Sequence, residues 1–89
     1  MTTTEDRDGQ KGVQQVIASI IESLCTSKVQ VDFESMKEGK AIMCTIDADR
    51  EDIPQIIGSK GDTINSIRRI ARAISRKRGF DVSVRVVEK

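Results

Sequence analysis

The chain has 89 residues, 37% hydrophobic and 33% charged, with a formal net charge of +1, which is enough for one domain with a single core. It has no His and only two aromatic residues, which excludes Ser-His-Asp, Cys-His and histidine-ligated metal chemistry and a stacking platform for bases. No apolar run could cross a bilayer and the polar N-terminus does not have the pattern of a signal peptide, so we expect a cytoplasmic protein without a membrane partner.

The N-terminal part of the chain predicts a tail and a helix. Residues 1–11 are polar and show no apolar periodicity, so we expect a disordered tail before one domain over 12–89. Apolar residues then recur every three or four positions, which predicts an amphipathic helix over 12–26. These residues are Val13, Val16, Ile17, Ile20, Ile21 and Leu24.

Two strands are predicted next. Apolar and polar residues alternate over 29–34, which is the two-residue period of a half-buried strand. A Gly-containing loop at 36–39 leads to a second segment, 40–47, whose apolar residues Ile42, Cys44 and Ile46 share one face. The short loop favours an antiparallel hairpin.

The second half of the chain predicts two helices. Pro54 fits the first turn of a short helix that starts no earlier than about Asp49 and ends at Gly58. A third helix follows a Gly-rich turn and runs to about Arg78, where Gly79 closes it.

A final strand completes the predicted fold. Alternation from Phe80 to Val86 predicts this third strand, and two helices separate it from the second, as a parallel neighbour requires. The element order α-β-β-α-α-β therefore predicts an α+β fold, with a three-stranded mixed sheet and three helices on one of its faces.

Positive charge is concentrated around the third helix. From Lys60 to Gly79 there are seven basic residues and one acidic residue, whereas the remainder has eight basic and thirteen acidic residues. Arg68, Arg72 and Arg76 stand four positions apart, a ladder of like charges that costs about 0.2–0.5 kcal/mol per pair unless an anion or carboxylate neutralises it. The stripe is thus either a solvated helix face or a contact for an anionic partner.

The turn between the second and third helices has the sequence Gly58-Ser59-Lys60-Gly61, called the GSKG loop below. Two glycines three positions apart let the backbone approach a ligand, and the N–H groups at the start of the next helix attract anions. Lys60 adds a cation, so the loop has the composition of a phosphate site. A solvated helix-helix turn would have the same four residues.

A longer pattern surrounds this loop. The segment from Ile56 to Ile67, IIGSKGDTINSI, resembles position for position the I-I-G-x-x-G-x-x-I-x-x-I signature of the KH domain. The element order is similar to the type II KH arrangement. Over 12–88 the chain resembles small stand-alone bacterial KH proteins of the KhpA type, and next to them the KH segment of Jag-like (KhpB) proteins.

The resemblance implies non-catalytic binding of single-stranded RNA. A KH domain clamps about four nucleotides, with phosphates at the GxxG loop and bases in an apolar groove. The second strand, around 42–44, would form the wall opposite the helices. Ile57, Ile64 and Ile67 could instead belong to the core, where apolar residues at helical spacing usually lie. The residues expected to contact RNA are Gly58, Ser59, Lys60, Gly61, Ile53, Ile57, Ile64, Arg68 and Arg72.

The residues and the resemblance together predict the partners and the alternative functions. We expect no cofactor, metal or small-molecule substrate, and Cys25 and Cys44, which form no CxxC, are interpreted as reduced structural thiols. The resemblance implies a homodimer, or a heterodimer with a Jag/KhpB-like KH protein, and an RNA-chaperone role. The alternative is an assembly module that pairs with a KH protein or docks on a ribonucleoprotein. A nucleotide-using enzyme is excluded, because GSKGDT lacks the G-x-x-x-x-G-K-[ST] spacing.

Overall fold

The structure is a computed structural model that describes residues 10–89. Its elements follow the predicted order α-β-β-α-α-β, and single 3-10 turns precede β2 and α3. The predicted disordered tail, 1–11, lies mostly outside the described residues, and its last two residues belong to the first helix. The elements are α1 (Gln10–Leu24), β1 (Gln30–Met36), β2 (Ala41–Ala48), α2 (Ile53–Ile57), α3 (Asp62–Arg76) and β3 (Asp81–Glu88).

Helix α1 begins and ends two residues earlier than predicted. Its core-facing residues are Val13, Ile17 and Ile21, all of them buried. The amide Nε2 of Gln10 donates a hydrogen bond to the carbonyl oxygen of Gly39 at 2.6 Å. This bond ties the first turn of α1 to the β1–β2 turn, which explains why the helix extends into the polar stretch.

The sheet has the order β1-β2-β3, with β1 antiparallel and β3 parallel to the central strand β2. Along β2 the residues Ile42, Cys44 and Ile46 are buried, whereas the residues between them are only half-buried. The buried set packs with core residues of all three helices, so the helices cover one face of the sheet. The predicted mixed sheet, with three helices on one face, is confirmed.

The free edge of β3 can be assigned from its hydrogen bonds. The N–H groups of Asp81 and Lys89 donate to the carbonyl oxygens of Lys40 and Ala48 of the β2 side, each at 2.9 Å. Main-chain groups along a strand alternate in direction. Odd-numbered residues of β3 therefore face β2, and the main-chain groups of even-numbered residues such as Val84 face outwards.

The two cysteines lie in apolar surroundings. Cys44 is fully buried, and this burial, with a smaller contribution from Asp32, raises the pKa of its thiol to about 12. Cys25 is half-buried, and desolvation is also the main reason why its pKa is raised. Neither thiol is in a disulfide, and the raised pKa keeps each of them protonated near neutral pH.

Candidate nucleic-acid interface

The GSKG loop joins α2 to α3 through one 3-10 turn at Ser59–Gly61. Gly58 has φ 81° and ψ 174°, a region of backbone space that is essentially restricted to glycine. A Cβ atom at Gly58 would lie 2.7 Å from the backbone nitrogen of Thr63, in the first turn of α3. The first glycine of the loop is therefore required both by its own conformation and by the close approach of α3.

The tip of the loop offers donors that the protein does not use. Ser59 and Lys60 are exposed, and within residues 10–89 no protein group accepts a hydrogen bond from their backbone N–H groups. The N–H of Gly61 donates to the oxygen of Gly58 at 3.2 Å and closes the turn. Two free donors, the Lys60 ammonium group and the positive end of the α3 dipole thus lie together, an arrangement suited to a phosphate group.

Charge around the loop is not neutralised by neighbouring carboxylates. The single ion pair of the described chain joins Arg50 to Glu88 and involves no residue of the loop. Lys60 has φ 56°, a left-handed conformation that places its side chain on the exposed tip of the turn. An incoming anion would therefore meet a cation that no acidic residue of the described chain already holds.

Asp52 fixes the start of α2 and thereby the approach to the loop. It is 3% exposed, and its Oδ1 accepts hydrogen bonds from the N–H of Thr26 at 3.0 Å and from the hydroxyl of Thr26 at 2.9 Å. Its Oδ2 accepts one from the N–H of Ser27 at 3.1 Å. These bonds, led by the one from the Thr26 backbone, outweigh the opposing effect of desolvation and lower the pKa of Asp52. A sequence pattern of acids before a helix does not reveal this link to the α1–β1 turn.

The apolar residues proposed for the groove divide into two groups. Ile53 and Ile57, on α2, are half-buried and keep surface that a ligand could contact. Ile64 and Ile67, on α3, are each 3% exposed and lie in the core. These two residues therefore belong to the core, which was the alternative to a place in the groove. Ile64 has almost no exposed surface that a base could contact.

The prediction that the second strand, around 42–44, forms the groove wall opposite the helices is wrong. Strand β2 is central, so both of its edges are paired, and Ile42 and Cys44 lie beneath the helices with 1% and 0% of their surface exposed. The strand that borders α3 at a free edge is β3. A groove along the arginine side of α3 therefore has β3 as its second wall.

Arg68 spans the seam between α3 and β3. Its Nε and Nη2 donate to the carbonyl oxygen of Val84 at 3.3 and 3.0 Å, and its Nη1 donates to Oδ1 of Asn65 at 3.2 Å. The guanidinium group therefore satisfies an outward-facing acceptor in the middle of the free edge. Among the three arginines of the predicted stripe, Arg68 is the one whose guanidinium group forms hydrogen bonds within the described chain.

Arg72 and Arg76 have a different environment. Both are exposed and, within the described chain, neither forms an ion pair. They line a cleft of about 390 Å³ between the end of α3 and the start of β3, called the α3–β3 cleft below. This cleft exists because the chain turns back at Gly79 (φ 81°), a feature that helical periodicity does not show. Its other lining residues are Ser75, Phe80, Asp81, Val82 and Ser83.

Across residues 10–89 no group of three or more His, Cys, Asp or Glu side chains is placed to hold a metal ion. No helix in the same range combines the length and the apolar character that crossing a membrane requires.

One comparison with known proteins gives a match. The model of the family described as "KhpA/KhpB, KH domain" matches residues 14–86. The matched range includes the GSKG loop, both helices that flank it and most of β3. No curated protein matches the chain.

Proposed function

The chain belongs to the KhpA/KhpB KH-domain family, a family of RNA-binding and generally non-enzymatic domains, and from this premise we propose that it binds single-stranded RNA through the GSKG loop. The observation that carries the proposal is the free pair of main-chain donors at Ser59 and Lys60. Because a tight glycine turn holds these donors in place, they can bind a phosphate without first rearranging.

The proposed mode of binding uses the surfaces next to the loop. A phosphate binds at the start of α3, and the neighbouring base lies against Ile53 and Ile57 of α2. The absence of Trp and Tyr from the sequence means that aliphatic contact, rather than stacking on rings of those types, holds the base.

The loop can be tested by reversing its charge. In the double variant S59D/K60D, carboxylates replace a hydroxyl and an ammonium group at the tip of the turn, and Asp tolerates the left-handed conformation of Lys60. We expect the affinity for a random-sequence 10-nucleotide RNA, measured by fluorescence anisotropy, to fall by at least about tenfold, since one lost charged hydrogen bond is worth about 1.5–3 kcal/mol.

A matched control separates the loop from overall charge. The variant K11D/S19D makes the same change in net charge at two exposed positions of α1. It should bind almost as the wild type does, and both variants should keep the wild-type thermal unfolding midpoint within a few degrees. Unchanged RNA affinity in folded S59D/K60D, or an equal loss in K11D/S19D, would contradict the proposal.

A second candidate function is pairing with another KH domain, either a second copy or a Jag/KhpB-like protein. The observation that favours it is Ile70 of α3, an aliphatic side chain that is 45% exposed. Coupling two small RNA sites would raise affinity without new contacts to the strand. Sedimentation equilibrium at micromolar concentration tests this candidate. A monomer, alone and with a KhpB-type partner, counts against it, and loss of the dimer in I70S supports it.

A further inference from the structure

The α3–β3 cleft is lined by positively charged side chains that form no ion pair within the described chain. Arg72 and Arg76 line it without an ion pair in the described chain, although Asp81 lines the same cleft. The hydroxyl groups of Ser75 and Ser83 are also in its lining, and the Ser75 hydroxyl donates to the oxygen of Arg72 at 3.3 Å. Two arginines against one carboxylate leave a net positive, hydroxyl-lined cleft.

The cleft and the GSKG loop lie at opposite ends of one helix. The loop precedes Asp62, the first residue of α3, and the cleft surrounds the last turn of that helix. A helix of 15 residues is about 22 Å long at 1.5 Å per residue. At the stacked rise of about 3.4 Å per nucleotide this length corresponds to six or seven nucleotides of one strand.

The path between the two ends follows the seam of α3 and β3. Arg68, halfway along α3, contacts Val84, halfway along β3, and Arg72 and Arg76 line the cleft together with the first residues of β3. The two elements therefore run in opposite directions, and the seam leads from the loop to the cleft. The charge along it stays positive, because the arginine stripe lies on this helix.

Building on the proposed function, we propose that the α3–β3 cleft binds a second phosphate of the RNA strand that the GSKG loop holds. The guanidinium groups of Arg72 and Arg76 donate to the phosphate oxygens, as planar donors do in bidentate contacts. The strand bound by the protein is then longer than the four nucleotides that a KH groove clamps. Like-charge repulsion between the two arginines is relieved by the bound anion.

The test compares a short and a long RNA with paired variants. Random-sequence pools of 4 and 10 nucleotides are titrated against the wild type, R72Q/R76Q and the control R50Q/R85Q. The control removes the same charge from exposed arginines that do not line the cleft. Each variant is compared with the wild type on the same pool, so the statistical gain from several binding registers on the longer RNA is not mistaken for a second contact.

We expect R72Q/R76Q to bind the 10-nucleotide pool about tenfold more weakly than the wild type and the 4-nucleotide pool unchanged. Its log-log salt slope on the longer RNA should fall by about 0.7 for each lost phosphate contact. R50Q/R85Q should keep most of the wild-type affinity for both lengths. These results together support the second phosphate site.

Other outcomes overturn the inference. Wild-type affinity of R72Q/R76Q for the 10-nucleotide pool would show that the cleft contacts no strand, while the GSKG site stands. An equal loss of affinity of R72Q/R76Q for both pools would show that the two arginines belong to the four-nucleotide groove. An equal loss of affinity in R50Q/R85Q would show that the effect comes from net charge alone. If the wild type binds neither pool, the proposed function fails, and the second site fails with it.

Discussion

The substitution Gly58→Ala tests most directly how the fold shapes the GSKG loop. The backbone of Gly58 lies in a region that other residues adopt only at a cost of about 1–3 kcal/mol. The new Cβ would also lie 2.7 Å from both the nitrogen and the Cβ of Thr63, and would contact its hydroxyl oxygen. Overpacking of this kind costs about 1–3 kcal/mol.

The two effects act together, so we expect Gly58→Ala to lower the free energy of unfolding by about 2–6 kcal/mol. The matched control is Gly79→Ala. Gly79 has the same φ of 81°, but no atom of the described chain lies within 4 Å of a Cβ built there. Its substitution should cost only the backbone strain, about 1–2 kcal/mol.

Urea unfolding followed by circular dichroism measures both values, with the m value showing whether the transition stays comparable. The double variant G58A/T63A should recover part of the loss and no more, because removing the Thr63 hydroxyl and methyl leaves its backbone nitrogen in place. Equal destabilisation by Gly58→Ala and Gly79→Ala would refute the reasoning, since the contact with Thr63 would then contribute nothing.

Two further predictions concern the residues that hold the site in place. The pKa of Asp52 is lowered below its usual 3.8, so its contribution to stability is complete above that value and is lost as the pH falls through the lower folded-state pKa. Asp52→Asn should therefore be clearly less stable than the wild type at pH 7, with a difference that narrows below pH 4 in urea unfolding; a constant difference would contradict this. Arg68→Met should cost about 1–3 kcal/mol, because the carbonyl of Val84 loses its charged donor, whereas Arg72→Met should stay within about 0.5 kcal/mol. Equal costs for the two arginines in the same assay would show that the bond to β3 is not stabilising.

Periodicity in the sequence was sufficient for the elements and their order. The stripe from Val13 to Leu24 and the alternation around Ile42 report which residues face the core, and this information defines helices and strands. The long crossover between β2 and β3 also predicted their parallel pairing, as found. Helix α1 begins and ends about two residues earlier than predicted, and at its start the hydrogen bond from Gln10 to Gly39 is a long-range contact that periodicity does not report.

The details of the candidate site depended on information that periodicity lacks. Arg68 and Arg72 occupy neighbouring positions on one helix face, and only the placement of β3 makes the first a structural donor and leaves the second free. Ile57 and Ile64 are both apolar positions of the motif, yet α2 has only one buried residue, Ile56, whereas α3 has four, and Ile64 is one of them. The composition of the GSKG loop was readable from the sequence, but its unpaired donors were not.

The parallel pairing of β2 with β3 also governs the order in which the molecule can assemble. Ala41 pairs with Asp81 and Ala48 with Glu88, so α2, the GSKG loop and α3 all lie within the closed segment. The β1–β2 hairpin is local and can form as soon as it leaves the ribosome, whereas pairing across such a long segment is intrinsically slower. Until β3 emerges and pairs, the inner face of α3 lacks its partners Phe80 and Val84. During synthesis the nascent chain therefore contains the residues of the candidate site before β3 is paired and can hold them in their final arrangement.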